Sequence, residues 1–137
     1  MQKIAYIIFA VHLSLTSCQH RWDIVRIGEI HFDGSSEVLD RVINTNCKGT
    51  VIGLSIVFQH PTDINDIRGN MRVINQKNGF DKSFVFEPRI GNWTGKKNEI
   101  VLVTGAEIPP NELAFHLSFS SSINTNKCDI YVIEIHK

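Results

Sequence analysis

Apolar side chains recur at every second position through most of this chain, the period of a β-strand with one buried face. In residues 113–120, Leu113, Phe115, Leu117 and Phe119 fall on one side, and Ala114, His116, Ser118 and Ser120 on the other. Residues 50–58 repeat the pattern, with Ile52, Leu54, Ile56 and Phe58 set against Val51, Gly53, Ser55 and Val57. Ile67, Gly69, Met71 and Val73 alternate with Arg68, Asn70 and Arg72. Phe80, Lys82, Phe84 and Phe86 alternate with Asp81, Ser83, Val85 and Glu87. Residues 99–104 and 129–136 are apolar through their centres, which suits strands covered on both faces.

Two segments depart from simple alternation. In residues 24–32, Val25 and Ile27 share one face, whereas Ile30 and Phe32 share the other. Gly28 stands between the pairs, so a bulge is predicted there. In residues 35–43, Val38, Leu39, Val42 and Ile43 have helical spacing behind two possible caps, Ser35 and Ser36. So short a helix needs tertiary support, which leaves a short helix and an edge strand both open. Turn-forming residues separate the runs: Asp33-Gly34, His60-Pro61, residues 75–79, residues 91–95 and Pro109-Pro110-Asn111. About seven or eight short strands at this spacing predict one all-β domain, a single antiparallel sandwich or flattened barrel.

The N-terminus follows another rule. Lys3 precedes an apolar run over residues 4–11, small residues follow at Thr16-Ser17-Cys18, and the chain then turns polar at Gln19-His20-Arg21. That is the layout of a secretory signal peptide. It is too short for a membrane span, which needs roughly 20 apolar residues. The expectation is a leader over 1–18 and an exported domain over 19–137. A second reading takes Leu15-Thr16-Ser17-Cys18 as a bacterial lipobox, which would anchor the mature chain through lipidated Cys18.

Charge narrows the partners. The full chain carries 14 Lys and Arg against 14 Asp and Glu. Losing Lys3 with the leader leaves 13 against 14, a net charge near −1. Such a chain has no field to draw in a polyanion, so nucleic-acid binding is disfavoured. Of three cysteines, Cys18 leaves with the leader, and Cys47 and Cys128 remain. An even number in an oxidising compartment predicts one disulfide. It would close a loop of about 80 residues, worth roughly 4 kcal/mol. Two similar loops, residues 43–47 and 123–128, each run into one of these cysteines.

Candidate chemistry is sparse. Asn92-Trp93-Thr94 is a glycosylation sequon in a glycine-flanked turn, so Asn92 is expected to carry a sugar in a eukaryotic host. Trp93 is either a partner contact or a lid folded back over the core rim. Glu29, His31 and Asp33 share a strand face and could in principle hold a metal, but a polar outer face is the expected reading. No Gly-x-Ser-x-Gly, phosphate loop, paired carboxylates or zinc-ligand spacing is present. No catalytic residue, cofactor or metal is therefore expected.

Three stretches carry a resemblance: Ile64-Asn65-Asp66-Ile67-Arg68, residues 73–79 (Val-Ile-Asn-Gln-Lys-Asn-Gly), and residues 116–121 followed by 131–135. In these the chain resembles the insect secreted family named after multiprotein bridging factor 2. The resemblance implies a short, exported, all-β protein. Some members are salivary secreted peptides and one is a transcription co-activator, a role that conflicts with an exported chain. This sequence lacks that family's Gly-Gly stretch after Asn78-Gly79, carries extra residues at 107–111, and has a cysteine pair not expected of the family. The functional expectation is a secreted, non-catalytic protein that binds another protein or an extracellular surface through its loops. The alternative is a carrier of a small apolar ligand between its sheets.

Overall fold

The structure, a computed structural model, describes residues 21–34, 38–85, 88–120 and 124–136. The expected leader over 1–18, the caps Ser35 and Ser36, and Phe86 lie outside the described residues. Among those described, nine strands form: β1 (Arg21–Phe32), β2 (Val38–Cys47), β3 (Thr50–Phe58), β4 (Gly69–Asn75), β5 (Phe80–Val85), β6 (Pro88–Ile90), β7 (Glu99–Ile108), β8 (Asn111–Ser120) and β9 (Asn126–His136). One 3-10 turn, Ile64–Asp66, precedes β4. The strands build two antiparallel sheets, β1-β9-β3-β7-β6 and β2-β8-β4-β5, which pack face to face as an all-β sandwich. No helix among the described residues is long and apolar enough to cross a membrane.

The core collects the inward side chains of both sheets. Leu113, Phe115, Leu117 and Phe119 of β8 meet Leu54, Ile56 and Phe58 of β3 and Ile130 and Val132 of β9. Met71 and Val73 add to it from β4. Phe115 is fully buried, so the register read from alternation in this strand is the observed one. Phe32 bridges the sheets, edge-on to Phe119 with ring centroids 5.3 Å apart.

Of the segment left open between helix and strand, the described residues from Val38 on belong to β2, an edge strand paired along its whole length with β8. Long-range hydrogen bonds decide what local spacing cannot. The bulge expected at Gly28 is present: Arg26 pairs with Tyr131 and Gly28 with Ile130, so Ile27 is the extra residue. A second bulge in β3 corrects the sequence reading. The register slips between Val51 and Gly53, which sends Val51 rather than Ile52 into the core.

The disulfide expectation is also corrected. Cys47 and Cys128 are buried free thiols. Cys47 closes β2, and its thiol hydrogen-bonds the Glu134 carboxylate. Cys128 lies six residues before Glu134 on β9, beside Ile30 and Phe58. At about 3.3 Å per residue, that places the thiols roughly 20 Å apart, against the 4–7 Å between Cα atoms that a disulfide needs.

Candidate functional site

The outer faces of the two sheets are treated differently. Outward positions of the five-stranded sheet are small or apolar at its centre: Gly53 and Ser55 on β3, Val101 on β7, Tyr131 and Ile133 on β9. Ser55, Val101, Tyr131 and Ile133 are buried there. Residues 91–98, which join β6 to β7, fold back over this surface. Trp93 lies on Gly53; a Cβ at that position would sit 3.3 Å from the indole and 2.7 Å from the Leu102 carbonyl oxygen. Glycine therefore makes room for the ring. The Trp93 side chain is half-buried against this outer face.

One carboxylate organises the loop. Glu99 opens β7 and is only 4% exposed. Its Oε1 accepts from the Ser55 hydroxyl at 2.7 Å and from the Trp93 and Thr94 amides at 3.0 Å each. Its Oε2 accepts from the Thr94 amide at 3.0 Å and the Thr94 hydroxyl at 2.7 Å. Burial works to raise the Glu99 pKa, but the bonds from Ser55, Thr94 and Trp93 outweigh it and hold the group below the usual carboxylate range. Lys96 adds a second tie, donating to the Tyr131 hydroxyl at 2.6 Å with its ammonium 5.0 Å above the ring. Between these ties Asn92, Gly95 and Lys97 stand exposed. The sequon asparagine thus projects from a fixed turn, and the sequon threonine is spent on the clamp.

The four-stranded sheet keeps its outer face open. A groove of about 400 Å³ runs beside Asn44, Asn46, Ile74 and Ala114, and a second of about 290 Å³ beside Val42, Arg72 and His116. Both lie on the surface rather than between the sheets. Arg72 forms a two-pronged ion pair with Asp81 across this face, at 2.8 and 2.6 Å.

The strand-face trio expected from sequence is brought together only in part. His31 Nε2 lies 3.2 Å from Glu29 Oε1, but Glu29 also meets Lys127 at 3.0 Å and Arg26 at 3.2 Å. Hydrogen bonding to Lys127, then to His31, lowers the Glu29 pKa. Cations already balance that carboxylate, and the group is exposed strand surface. Asp33 sits beyond β1, where its carbonyl oxygen accepts from the Thr125 hydroxyl at 3.2 Å.

Sequence reading missed two acidic positions. Glu99 looked like a strand terminus, with no local sign of its buried partners. Glu134 sits two residues after core-facing Val132, so an acid on the inner face was legible from β9 alone. It is 4% exposed and meets Asp23 of β1 and His136 of its own strand. The chain matches no protein-family model, no curated protein and no solved structure.

Proposed function

We propose that this is an exported, non-catalytic binding protein that engages another protein or an extracellular surface through its loops, foremost residues 91–98. The carrying observation is the Glu99 clamp. A buried carboxylate satisfied by four donor groups fixes a loop whose tips face solvent. A loop ordered in advance loses less conformational entropy on binding, which is where affinity is gained. The reading includes a sugar on exposed Asn92, export directed by residues 1–18, and the family resemblance as a pointer to a secreted role. The carrier alternative draws no support from the interior, which Phe58, Phe115, Phe119 and Leu54 fill.

The test is site-specific photo-crosslinking in the extracellular fluid the protein inhabits. A crosslinker at Lys97 should yield one dominant adduct, and a crosslinker at Ser83 on the opposite sheet should not. Glu99→Ala should abolish the Lys97 adduct. Equal labelling from both positions, or no adduct alongside stoichiometric uptake of a long-chain fatty-acid probe, would overturn the proposal.

A further inference from the structure

At the end of the sandwich away from Cys128, three ligand groups converge from two paired strands. Asp23 and Glu134 stand directly opposite each other in the β1–β9 register, so both carboxylates leave the same face of the sheet. That face is the inner one, because Ile130 and Val132 on the same side of β9 are in the core. His136 follows two residues after Glu134 and shares its face. Its Nε2 lies 3.0 Å from Asp23 Oδ2 and 3.3 Å from Glu134 Oε2. The three ligand atoms all lie within 4.8 Å of one another.

Two features separate this trio from an ordinary acidic patch. The Glu134 side chain is 5% exposed, and like charges directly across a strand pair destabilise the sheet unless something positive joins them. Arg21 reaches Asp23 at 2.9 Å, but from solvent, with its side chain 74% exposed. Moreover, His136 Nε2 is shielded from water and has no hydrogen-bond partner among the described residues. Both carboxylate oxygens are near enough to accept from it, but neither lies in a direction that closes a hydrogen bond. An ion need not lie on either nitrogen–oxygen line, so it can take the Nε2 lone pair in the ring plane while both carboxylates reach it. Nitrogen and oxygen ligands at about 2.0–2.2 Å from a tetrahedral ion stand about 3.3 Å apart, close to the two separations from His136 Nε2.

We propose that Asp23, Glu134 and His136 bind one divalent first-row transition-metal ion of the zinc type. Imidazole with two carboxylates suits such an ion, whereas calcium and magnesium ask for more oxygen ligands. Cys47 lies beside Glu134, where its thiol can position that carboxylate. The backbone at Gly49 closes the site from the β2–β3 link. A Cβ there would come within 3.1 Å of His136 Cε1 and 2.8 Å of the Ile135 carbonyl oxygen. The ion would tie edge strand β1 to central strand β9, and three protein ligands leave a coordination position open.

Calorimetric titration of the chelator-treated, tag-free mature protein with zinc chloride tests this. Saturable one-to-one binding in the micromolar range or tighter is expected, together with a rise in Tm, and millimolar calcium or magnesium should not compete. Asp23→Asn and His136→Gln should each weaken zinc by at least about tenfold. Cys47→Ser should change affinity by no more than a few-fold, and His31→Ala should leave it unchanged. Asp23 is partly exposed on an edge strand, so its variant keeps the test valid even if His136→Gln fails to fold. No saturable zinc binding, binding undiminished in Asp23→Asn, or binding lost in His31→Ala overturns the assignment.

Discussion

Replacing Glu99 by Ala removes the acceptors of four donor groups at once: the Ser55 and Thr94 hydroxyls and the Trp93 and Thr94 amides. Hydroxyls can rotate towards other acceptors, but the two amides cannot. Each orphaned amide costs about 1–3 kcal/mol, and the lost charge-assisted bonds and vacated space add to that. The loop can lift to let water in, but then Trp93 leaves its seat on Gly53. By either route the expected loss is about 3–5 kcal/mol, a large share of a total stability of roughly 5–15 kcal/mol. Glu99→Gln behaves differently. Its one carbonyl oxygen still accepts from both amides, and the Thr94 hydroxyl can turn to accept from the new amide nitrogen. The loss there is mainly charge assistance, about 1–2 kcal/mol. Urea unfolding of the three proteins measures both values, in a Trp22→Phe background so that Trp93 alone reports the loop. An Ala variant losing less than about 1 kcal/mol, or a Gln variant losing as much as Ala, would refute the clamp.

Four further outcomes follow from the same geometry. Both thiols are buried, and burial pushes each pKa up to about 12, aided at Cys47 by Glu134. Iodoacetamide should therefore spare Cys47 and Cys128 in the native protein and label both after denaturation without reductant. Phe115→Ala should cost about 3–5 kcal/mol by chemical denaturation, because the ring is fully buried. Ser118→Lys should stay within about 0.5 kcal/mol, because its strand face is open to solvent. The carboxyl of Glu99 has a lowered pKa in the fold, so its stabilisation is complete above the unfolded-state value and is lost as pH falls through the folded one. Trp93 emission should thus show an acid transition, below the unfolded-state carboxylate value, that is absent in Glu99→Gln.

Local signals account for what was legible. Alternation in β8 and the glycine at the phase change of β1 act within a few residues, and both set the observed structure. What escaped depends on register. Val38, Leu39, Val42 and Ile43 fit a helix face as well as an edge strand, until β8 supplies the pairing partner. The β3 bulge reverses Val51 and Ile52 without breaking the apolar run, and only Gly53 beside them hinted at it. The cysteine pairing failed for the same reason. Counting predicts that two thiols exist, but their separation is set by where β2 and β9 end in the assembled sandwich. The candidate loop was legible as a turn with a sequon and a tryptophan. Its rigidity was not, because Ser55 lies 44 residues before Glu99.

The two buried glutamates of the five-stranded sheet show why one reads as architecture and the other as a binding site. Glu99 faces outward under the loop, where hydroxyls and amides satisfy both of its oxygens. Nothing further is needed to hold its charge, and its consequence is mechanical order in residues 91–98. Glu134 faces inward at the open end, beside a thiol, opposite another carboxylate and near an imidazole within ion-pair reach of both acids that closes a hydrogen bond with neither. A weak thiol donor compensates a buried carboxylate poorly, and Asp23 adds charge of the same sign. Burial is the same, 4% exposure in each case, so the donor sets decide the difference. A cation at Asp23, Glu134 and His136 would supply the compensation that the Glu99 site obtains from neutral donors of its own chain. Exchanging the roles gives a direct comparison. Glu134→Gln should destabilise the metal-free protein less than Glu99→Gln does, because it relieves an opposed pair of charges rather than weakening bonds from satisfied donors. Urea unfolding in excess chelator measures it, and a Glu134→Gln loss as large as that of Glu99→Gln would show that Glu134 is already satisfied by protein alone.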